Sequence, residues 1–383
     1  MSSVTSSAPA QRLHQIALAR QAVLHEGMSL SRTGTQAWIE RSWQRCLASG
    51  KTPDQKVSFD MIAPTARRQL VEANEALLHT ARPILQSLGQ AIASTRYFAV
   101  MTDAQGIVIE AHGAIDRSDR RADLITRIGT DLSESRLATT AISAALTELQ
   151  PVWLHRGEHF FDANSVYSCA GAPLFGPDGS CIGMLDLTGI EAAERPELKH
   201  LVAQSARSIE NALTLGQLKA SSDLLIRLNW PGRTLGDETD GLVCLNADGY
   251  VTAANQMARM MVPQLATTGT PVLHASDLFA MAFGMLFDAA RKQSSRSTME
   301  IPLWTGLRLH AQPVIGGQPD TSTSATAQLD TPGVPRPPLK DIETAIIRKA
   351  VDDARGNVMQ AAKALGISRA TVYRRLGNSL KRH

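Results

Sequence analysis

Three stretches of this chain share one pattern: an apolar run, a tight Asp/Gly turn and a second apolar run. They are YFAVMTDAQGIVIEAHG (97–113), CAGAPLFGPDGSCIGMLDLTG (169–189) and GLVCLNADGYVTAANQMARMMV (241–262). Glycine supplies the positive φ of the turn and Asp bonds its own backbone, so each stretch is predicted to form a β-hairpin. The first two are separated by a helical pattern, SESRLATTAISAALTEL, and the third runs straight into one after Asn255. Antiparallel hairpins interspersed with helices predict an α+β fold.

With 383 residues there is room for two or three domains, and 43% apolar with 20% charged residues is ordinary for a globular protein. The cysteines, Cys46, Cys169, Cys181 and Cys244, are far apart with no C-x-x-C pair. That argues against a disulfide framework or a zinc site, and for a reducing, cytoplasmic setting. The polar start MSSVTSSAPA has no hydrophobic signal core. The longest apolar run, Leu278 to Phe287, is too short for a membrane span and is expected to be a buried helix. No membrane partner is therefore expected. Leu198, Val202, Ser205, Ile209 and Ala212 alternate spacings of four and three, which suits either a helix packed within a domain or a dimer-forming connector.

Charge is uneven. Residues 339–383 hold ten Lys and Arg against four Asp and Glu, a net +6, so the total of +3 leaves −3 for residues 1–338. A basic end on a near-neutral body suggests nucleic-acid binding. A Pro-, Gly-, Ser- and Thr-rich segment, 316–338, precedes it and reads as a flexible linker. Within GNVMQAAKALGISRATVYRRLG (356–377), Asn357 is a good N-cap and Gln360 is placed to return a capping-box bond. Val358, Ala361, Ala362 and Leu365 share one face, Gly366 stops the helix, and Ser368 opens a second helix with Val372 and Leu376 inward. Two short helices around a Gly turn make a helix-turn-helix. Lys363, Ser368, Arg369, Thr371, Tyr373, Arg374 and Arg375 are its predicted DNA-facing residues. Arg369 and Thr371 are placed to read bases, and Lys363, Arg374 and Arg375 to grip phosphates. A helical hairpin with a merely solvated basic face is the plainer alternative. Ahead of it, Ile342, Ala345, Ile346, Ala350 and Val351 form a stripe wide enough to cover the pair and meet a second copy. A homodimer would place two recognition helices about one DNA turn apart.

The tail IETAIIRKAVDDARGNVMQAAKALGISRATVYRRL resembles the Fis-type DNA-binding domain that ends sigma-54-dependent transcriptional activators. Upstream, IERSWQRCLASG and PVWLHRGEHFFDANSVYSCAGAPLFGPDGSCIGMLDLTG resemble the N-terminal sensor of acetoin-catabolism regulators, where a GAF domain follows a helical S-W-x-R-C segment. Residues 241–315 resemble the PAS domain that often comes next. The resemblance implies a disordered or helical N-terminus (1–30), a helical lead-in with a GAF-like sensor (31–215), a PAS-like domain (220–315), the linker (316–338) and the Fis-type domain (339–383). It also implies a small-molecule effector in the GAF-like pocket, around which Trp153, His159, Phe161, Tyr167 and Cys169 cluster in sequence. Such a pocket needs an apolar wall with a few polar handles, although each residue alone could be plain core.

There are two departures from the family. Such sensors commonly read G-T-N-A where this chain has Ala138-Thr139-Thr140-Ala141, and the central ATPase domain expected before the tail is replaced by the linker. Gly50-Lys51-Thr52 ends like a phosphate-binding loop, but Arg45 stands where its leading glycine belongs, so a surface turn is expected. His155 and His159 flank Glu158 but do not form H-E-x-x-H, and Pro151 and Gly157 oppose a continuous helix, so no metal site is expected. No Ser/His/Asp or Cys/His constellation appears, and no catalytic residue or cofactor is expected. The predicted function is a non-enzymatic, effector-responsive regulator that binds double-stranded DNA. RNA polymerase or a complete sigma-54 activator would be its protein partner. A signalling adaptor or a hidden nucleotide hydrolase are the alternatives.

Overall fold

A computed structural model of the chain describes residues 8–27, 37–266, 272–292 and 298–315, together with 351, 354, 357–364, 369 and 372. It divides into two compact units, Met1–Pro319 and Asp320–His383. The first unit contains two antiparallel five-stranded sheets with helices, the predicted α+β class.

The first sheet comprises β1 (Tyr97–Asp103), β2 (Val108–Gly113), β3 (Val152–His155), β4 (Tyr167–Phe175) and β5 (Cys181–Ile190), in the order β2-β1-β5-β4-β3. The second comprises β6 (Leu224–Asn229), β7 (Gly241–Leu245), β8 (Val251–Ala254), β9 (Met299–Pro302) and β10 (Arg308–Ile315), in the order β8-β7-β6-β10-β9. All three predicted hairpins form, as β1–β2, β4–β5 and β7–β8. Their turn glycines, Gly106, Gly179 and Gly249, have φ of +84°, +86° and +86°, the region glycine enters without a Cβ clash. In the third turn the capping side chain is Asn246, whose Oδ1 accepts from the backbone N–H groups of Asp248 and Tyr250. The two sheets share one spatial plan, two hairpins flanking a central strand, but that strand comes last in the first sheet (β5) and first in the second (β6).

The helices are α1 (Ala8–Arg20), α2 (Ala37–Ala48), α3 (Pro64–Ala73), α4 (Glu75–Ile92), α5 (Arg120–Ile125), α6 (Glu134–Leu137), α7 (Ala141–Glu148), α8 (Leu198–Ser221), α9 (Gln256–Met261), α10 (Ala275–Leu278) and α11 (Gly284–Lys292). None is long and apolar enough to cross a membrane, among the described residues. Strand alternation divides the first sheet into two faces. On one, Ala99, Met101, Ala170, Ala172, Leu185 and Leu187 pack under α4 and α8. On the other, Phe98, Val100, Cys169 and Met184 meet α2 and α7.

The α8 helix joins the two central strands and belongs to both cores. Its Leu198, Val202, Ala206 and Ile209 pack on the first sheet, while Leu215 and Leu218 pack against Leu225, Leu242 and Cys244 of the second. Of the predicted four-and-three stripe, Leu198, Val202, Ser205 and Ile209 are buried within one chain, as in a packed domain helix, while Ala212 is half-buried.

Two helical expectations need correction. The 133–149 pattern is not one helix: Ala138 takes φ 54°, ψ −144° and ends α6. Thr140 then starts α7 with a reciprocal cap, accepting from the Ser143 N–H at 3.2 Å while the Ser143 hydroxyl accepts from the Thr140 N–H at 2.9 Å. Local capping thus outcompetes helix continuation. The run Leu278 to Phe287 is also broken. Phe279 leaves α10 in extended geometry to bridge Leu303, and α11 starts only at Gly284. Leu278, Phe279 and Leu286 are buried, but Met285 is exposed.

The S-W-Q-R-C segment of α2 is bound into the first sheet's core. Ser42 and Thr139 hydroxyls lie 2.7 Å apart, and the fully buried Trp43 donates its indole N–H to the Glu158 carbonyl at 3.0 Å. Arg45 pairs with Glu134 at 3.3 Å, and Cys46 Sγ lies 3.6 Å from Thr139. The helical lead-in is one body with the sheet it precedes.

In the second unit, Asn357 Oδ1 accepts from the Gln360 N–H at 3.2 Å and caps the helix Val358–Ala364. Val351, Ala362 and Val372 are buried. Segments 1–7 and 316–338, and Ile342, Ala345, Ile346, Ala350, Leu365, Gly366 and Leu376, lie outside the described residues.

Candidate functional site

On the face of the first sheet opposite α4 and α8 lies a cavity of about 40 Å³. Val100, Ile125, Leu132, Leu137 and Ile142 make its wall apolar, and Thr140, His159, Asn164, Tyr167, Cys169, Asp186 and Thr188 contribute polar groups. The sheet register explains who faces it. Along β5, Leu185 and Leu187 point to the helix-covered face, so Met184, Asp186 and Thr188 point the other way. Asp186 stands opposite Val100 of β1 and Gly171 of β4.

Asp186 has no solvent exposure. The Thr188 hydroxyl donates to its Oδ2, and Cys169 Sγ lies 3.4 Å from the Thr188 oxygen, making a chain from thiol to hydroxyl to carboxyl. Oδ1 has no partner. Burial, opposed only by the Thr188 hydrogen bond, pushes the carboxyl up to about 7. Burial also raises the Cys169 thiol well above its usual value, with the Asp186 charge adding to it, so the sulfur is a poor nucleophile.

His159 arrives on a short turn after β3. Its Nδ1 lies 2.9 Å from the Arg156 carbonyl oxygen. A carbonyl only accepts, so Nδ1 carries the hydrogen and Nε2 presents a bare lone pair. Nε2 is buried without a partner among the described residues, and burial pushes the ring down to about 4, which keeps it neutral. The Tyr167 ring meets His159 edge-on at 6.4 Å.

The turn bearing His159 is strapped by the N-terminal helix. Arg12 forms an ion pair with the buried Glu158. Arg20 donates to the carbonyls of Gly157 (2.8 Å), Phe160 (3.0 Å) and His159, and pairs with Asp162. It also lies over the Trp43 ring at 5.8 Å. Despite Arg12, burial prevails and pushes the Glu158 carboxyl up to about 7. At the other end of the cavity strands, the β4–β5 turn is held by the second sheet's elements. Arg259 and the Ala254 N–H both donate to the Pro177 carbonyl at 2.9 Å. Glu210 of α8 accepts from the Phe175 N–H at 3.0 Å.

Of the five effector-site residues expected from sequence, His159, Tyr167 and Cys169 line the cavity. Phe161 packs in the same core, edge-on to Phe160 at 5.3 Å, without lining it. Trp153 is on the opposite face, stacked on His155 at 6.3 Å, because it falls one residue out of phase with Leu154 in β3. Asp186, Thr188 and Asn164 escaped sequence reading, while Thr140 lies in the Ala138-Thr139-Thr140-Ala141 segment that departs from the family's pattern. The one signal was a lone Asp within the apolar run GMLDL.

His155 is engaged elsewhere, its Nδ1 lying 2.8 Å from the Ser168 hydroxyl. Gly50, at φ +81°, closes α2 into a turn in which Thr52 donates to Asp54 at 2.6 Å. Arg67, Arg68, Arg117 and Arg127 line an open groove between α3 and β2 that contains none of the expected site residues. In the basic tail, Arg369 is helical and exposed and Lys363 lies in the capped helix. Ser368, Thr371, Tyr373, Arg374 and Arg375 lie outside the described residues.

Residues 14–211 match the family described as MimR, N-terminal domain, and residues 338–377 match the bacterial regulatory protein, Fis family. Among curated relatives, the acetoin catabolism regulatory protein of Cupriavidus necator is 29% identical over 266 residues, covering 67% of this chain and 38% of its own length. The acetoin dehydrogenase operon transcriptional activator AcoR of Bacillus subtilis is 25% identical, covering 59% of this chain and 36% of its own. The propane 2-monooxygenase operon transcriptional activator MimR of Mycolicibacterium goodii is 26% identical, covering 54% and 34%. The chain thus spans little more than a third of the length of these relatives. Among solved structures, the E. coli DhaR(N)–DhaL complex superposes with a TM-score of 0.45 at 15% identity, over 72% of this chain and 98% of that one.

Proposed function

Since the chain belongs to the MimR N-terminal domain family, we propose that it is a DNA-binding transcription regulator whose GAF-like sensor holds a small effector. The observation that carries this reading is a cavity inside the family's domain with two buried polar atoms that have no partner among the described residues, on one chain with a Fis-type match. The domain plan is a lead-in and GAF-like sensor over 31–215, a PAS-like domain over 220–315, a linker over 316–338 and a Fis-type domain over 339–383. Names such as acetoin catabolism and propane 2-monooxygenase belong to the relatives. They favour a small, neutral effector here too.

No reaction is part of this function. Only residues 316–337 separate the last described strand from the Fis-type match, far fewer than a central ATPase domain needs. The regulator therefore acts by occupying DNA as a homodimer, with RNA polymerase or a complete sigma-54 activator as its protein partner. An effector that binds one sensor state more tightly shifts DNA affinity by that difference. The route available is β5 to α8 to β6, together with the β4–β5 turn gripped by Arg259.

DNA binding by the full chain tests this. Arg375→Ala should weaken binding to all sequences and shrink the slope of log K against log salt by about 0.9. Arg369→Ala should instead relax sequence preference, by about 1–3 kcal/mol at one position. Residues 1–338 binding the same site as tightly as the full chain would refute the assignment.

A further inference from the structure

We propose that the outer edge of β2 and the arginine-lined groove beside it dock an extended acidic peptide of a partner protein. The peptide adds to the first sheet as a further strand, on an edge remote from the His159 cavity.

The edge itself is bare. β2 ends the order β2-β1-β5-β4-β3, so one side of its backbone faces away from β1. A short segment covers its start, where the Gly129 N–H donates to the Val108 carbonyl at 2.8 Å and the Val108 N–H to the Thr130 carbonyl at 3.0 Å. From Glu110 to Gly113 no further strand lies beside it among the described residues. The Ala111 N–H donates to the neighbouring Glu110 carboxylate at 3.2 Å, a local partner that an incoming carbonyl can replace. Edges of this kind are normally blunted by charges or proline on the strand, or covered. Here the small Ala111 and Gly113 leave the backbone open, and the cations stand on the elements around it. Opposite lies α3, a ten-residue helix with no buried side chain, which adds little to the core and serves as the groove's far wall. An edge strand facing a helix across a groove is the setting in which peptides bind by strand addition.

Charge selects the occupant. Arg67, Arg68, Arg117 and Arg127 line the groove, against Glu72 and Glu110. The Arg67 and Arg68 guanidinium groups have no hydrogen bond or ion pair with any described residue, while Arg117 and Arg127 share the one carboxylate of Asp123. Glu110 is itself paired with Arg82 at 3.4 Å. Every cation lining the groove is an arginine, whose planar fork holds carboxylates in two-point contacts. Met61, Val71 and Ile128 are exposed along the same walls, so the peptide that fits alternates acidic with apolar residues. At about 1240 Å³ the groove exceeds the usual span of small-molecule pockets, roughly 300–1,000 Å³. A second copy fits worse, because pairing β2 with β2 would bring two sets of four arginines together. Duplex DNA offers phosphates, but no strand backbone for β2 and no apolar groups for Met61, Val71 and Ile128.

Panning a random octapeptide phage library on the full chain tests the proposal, followed by fluorescence anisotropy with the enriched peptides as synthetic probes. Enriched sequences should alternate acidic with apolar residues. The double substitution Arg67→Glu with Arg68→Glu should weaken their binding at least about tenfold, with an unchanged melting temperature because both side chains are exposed. N-methylation of alternate peptide amides reads strand addition directly. The register that faces β2 should lose at least about tenfold, and the intervening register should stay within about threefold. Peptides without an acidic excess, binding indifferent to the double substitution, or equal losses in both registers overturn the proposal. If no peptide is enriched, the proposal also falls. It falls equally if the double substitution weakens binding of the full chain to duplex DNA and leaves peptide binding intact, since the groove is then a phosphate contact. Should the doubly substituted chain not fold, the two methylation registers on the unmodified chain decide alone.

Discussion

Replacing Asp186 by Asn should stabilise the protein at alkaline pH and hardly at all in acid. The carboxyl is fully buried and its titration is raised from 3.8 to about 7 by burial. The folded state therefore holds a proton that the unfolded chain has already released. Stability from this group is complete below about pH 4 and is lost as pH rises through about 7. Between pH 5 and pH 8 roughly two units of that loss remain, or about 3 kcal/mol, which Asn cannot lose because it does not titrate. The groups facing Asp186 do not obscure this: His159 is neutral above about pH 4, and burial holds Tyr167 and Cys169 protonated. Glu158 and Glu210, also raised to about 7, titrate alike in both proteins and cancel in the difference. Urea unfolding of both proteins at pH 5 and pH 8, followed by tryptophan fluorescence, measures it. An Asn-minus-Asp stability difference that is the same at the two pH values would refute the reasoning.

Arg20→Ala should destabilise the sensor by about 2–4 kcal/mol, because it strips the donor from three carbonyls of the His159 turn. Arg20→Lys should recover less than half, since an ammonium cannot span those acceptors. Hydrogen exchange over 156–162 should accelerate in both, and unchanged protection would rule out the strap. Lys51 sits in the turn after α2, so the full chain should show no ATP turnover, and Lys51→Ala should change nothing. Turnover that vanishes with that substitution would place a nucleotide site where a turn is described.

Local chemistry was legible in the sequence. The three hairpins follow from turn residues and flanking apolar runs, and the Asn357 cap from one side chain three residues from its donor. These interactions close within a few residues, so no distant partner can change them. The break at Ala138 was harder, because the local Thr140–Ser143 cap competes with an equally local helical pattern, and Thr139 beside it also meets Ser42 and Cys46 of α2, nearly a hundred residues away. The cavity was decided by tertiary structure. Alternation in β3 and β5 shows that Trp153 and Leu154, or Asp186 and Leu187, face opposite ways, but not which face the α4 and α8 helices cover. Once those helices take the face with Leu185 and Leu187, Trp153 is buried with them, and Asp186 joins His159 across the other side. Asp186 reads as an ordinary polar residue until neighbouring strands and loops exclude water from it. Its unpaired oxygen is thus a property of the packed sheet rather than of any segment of the chain.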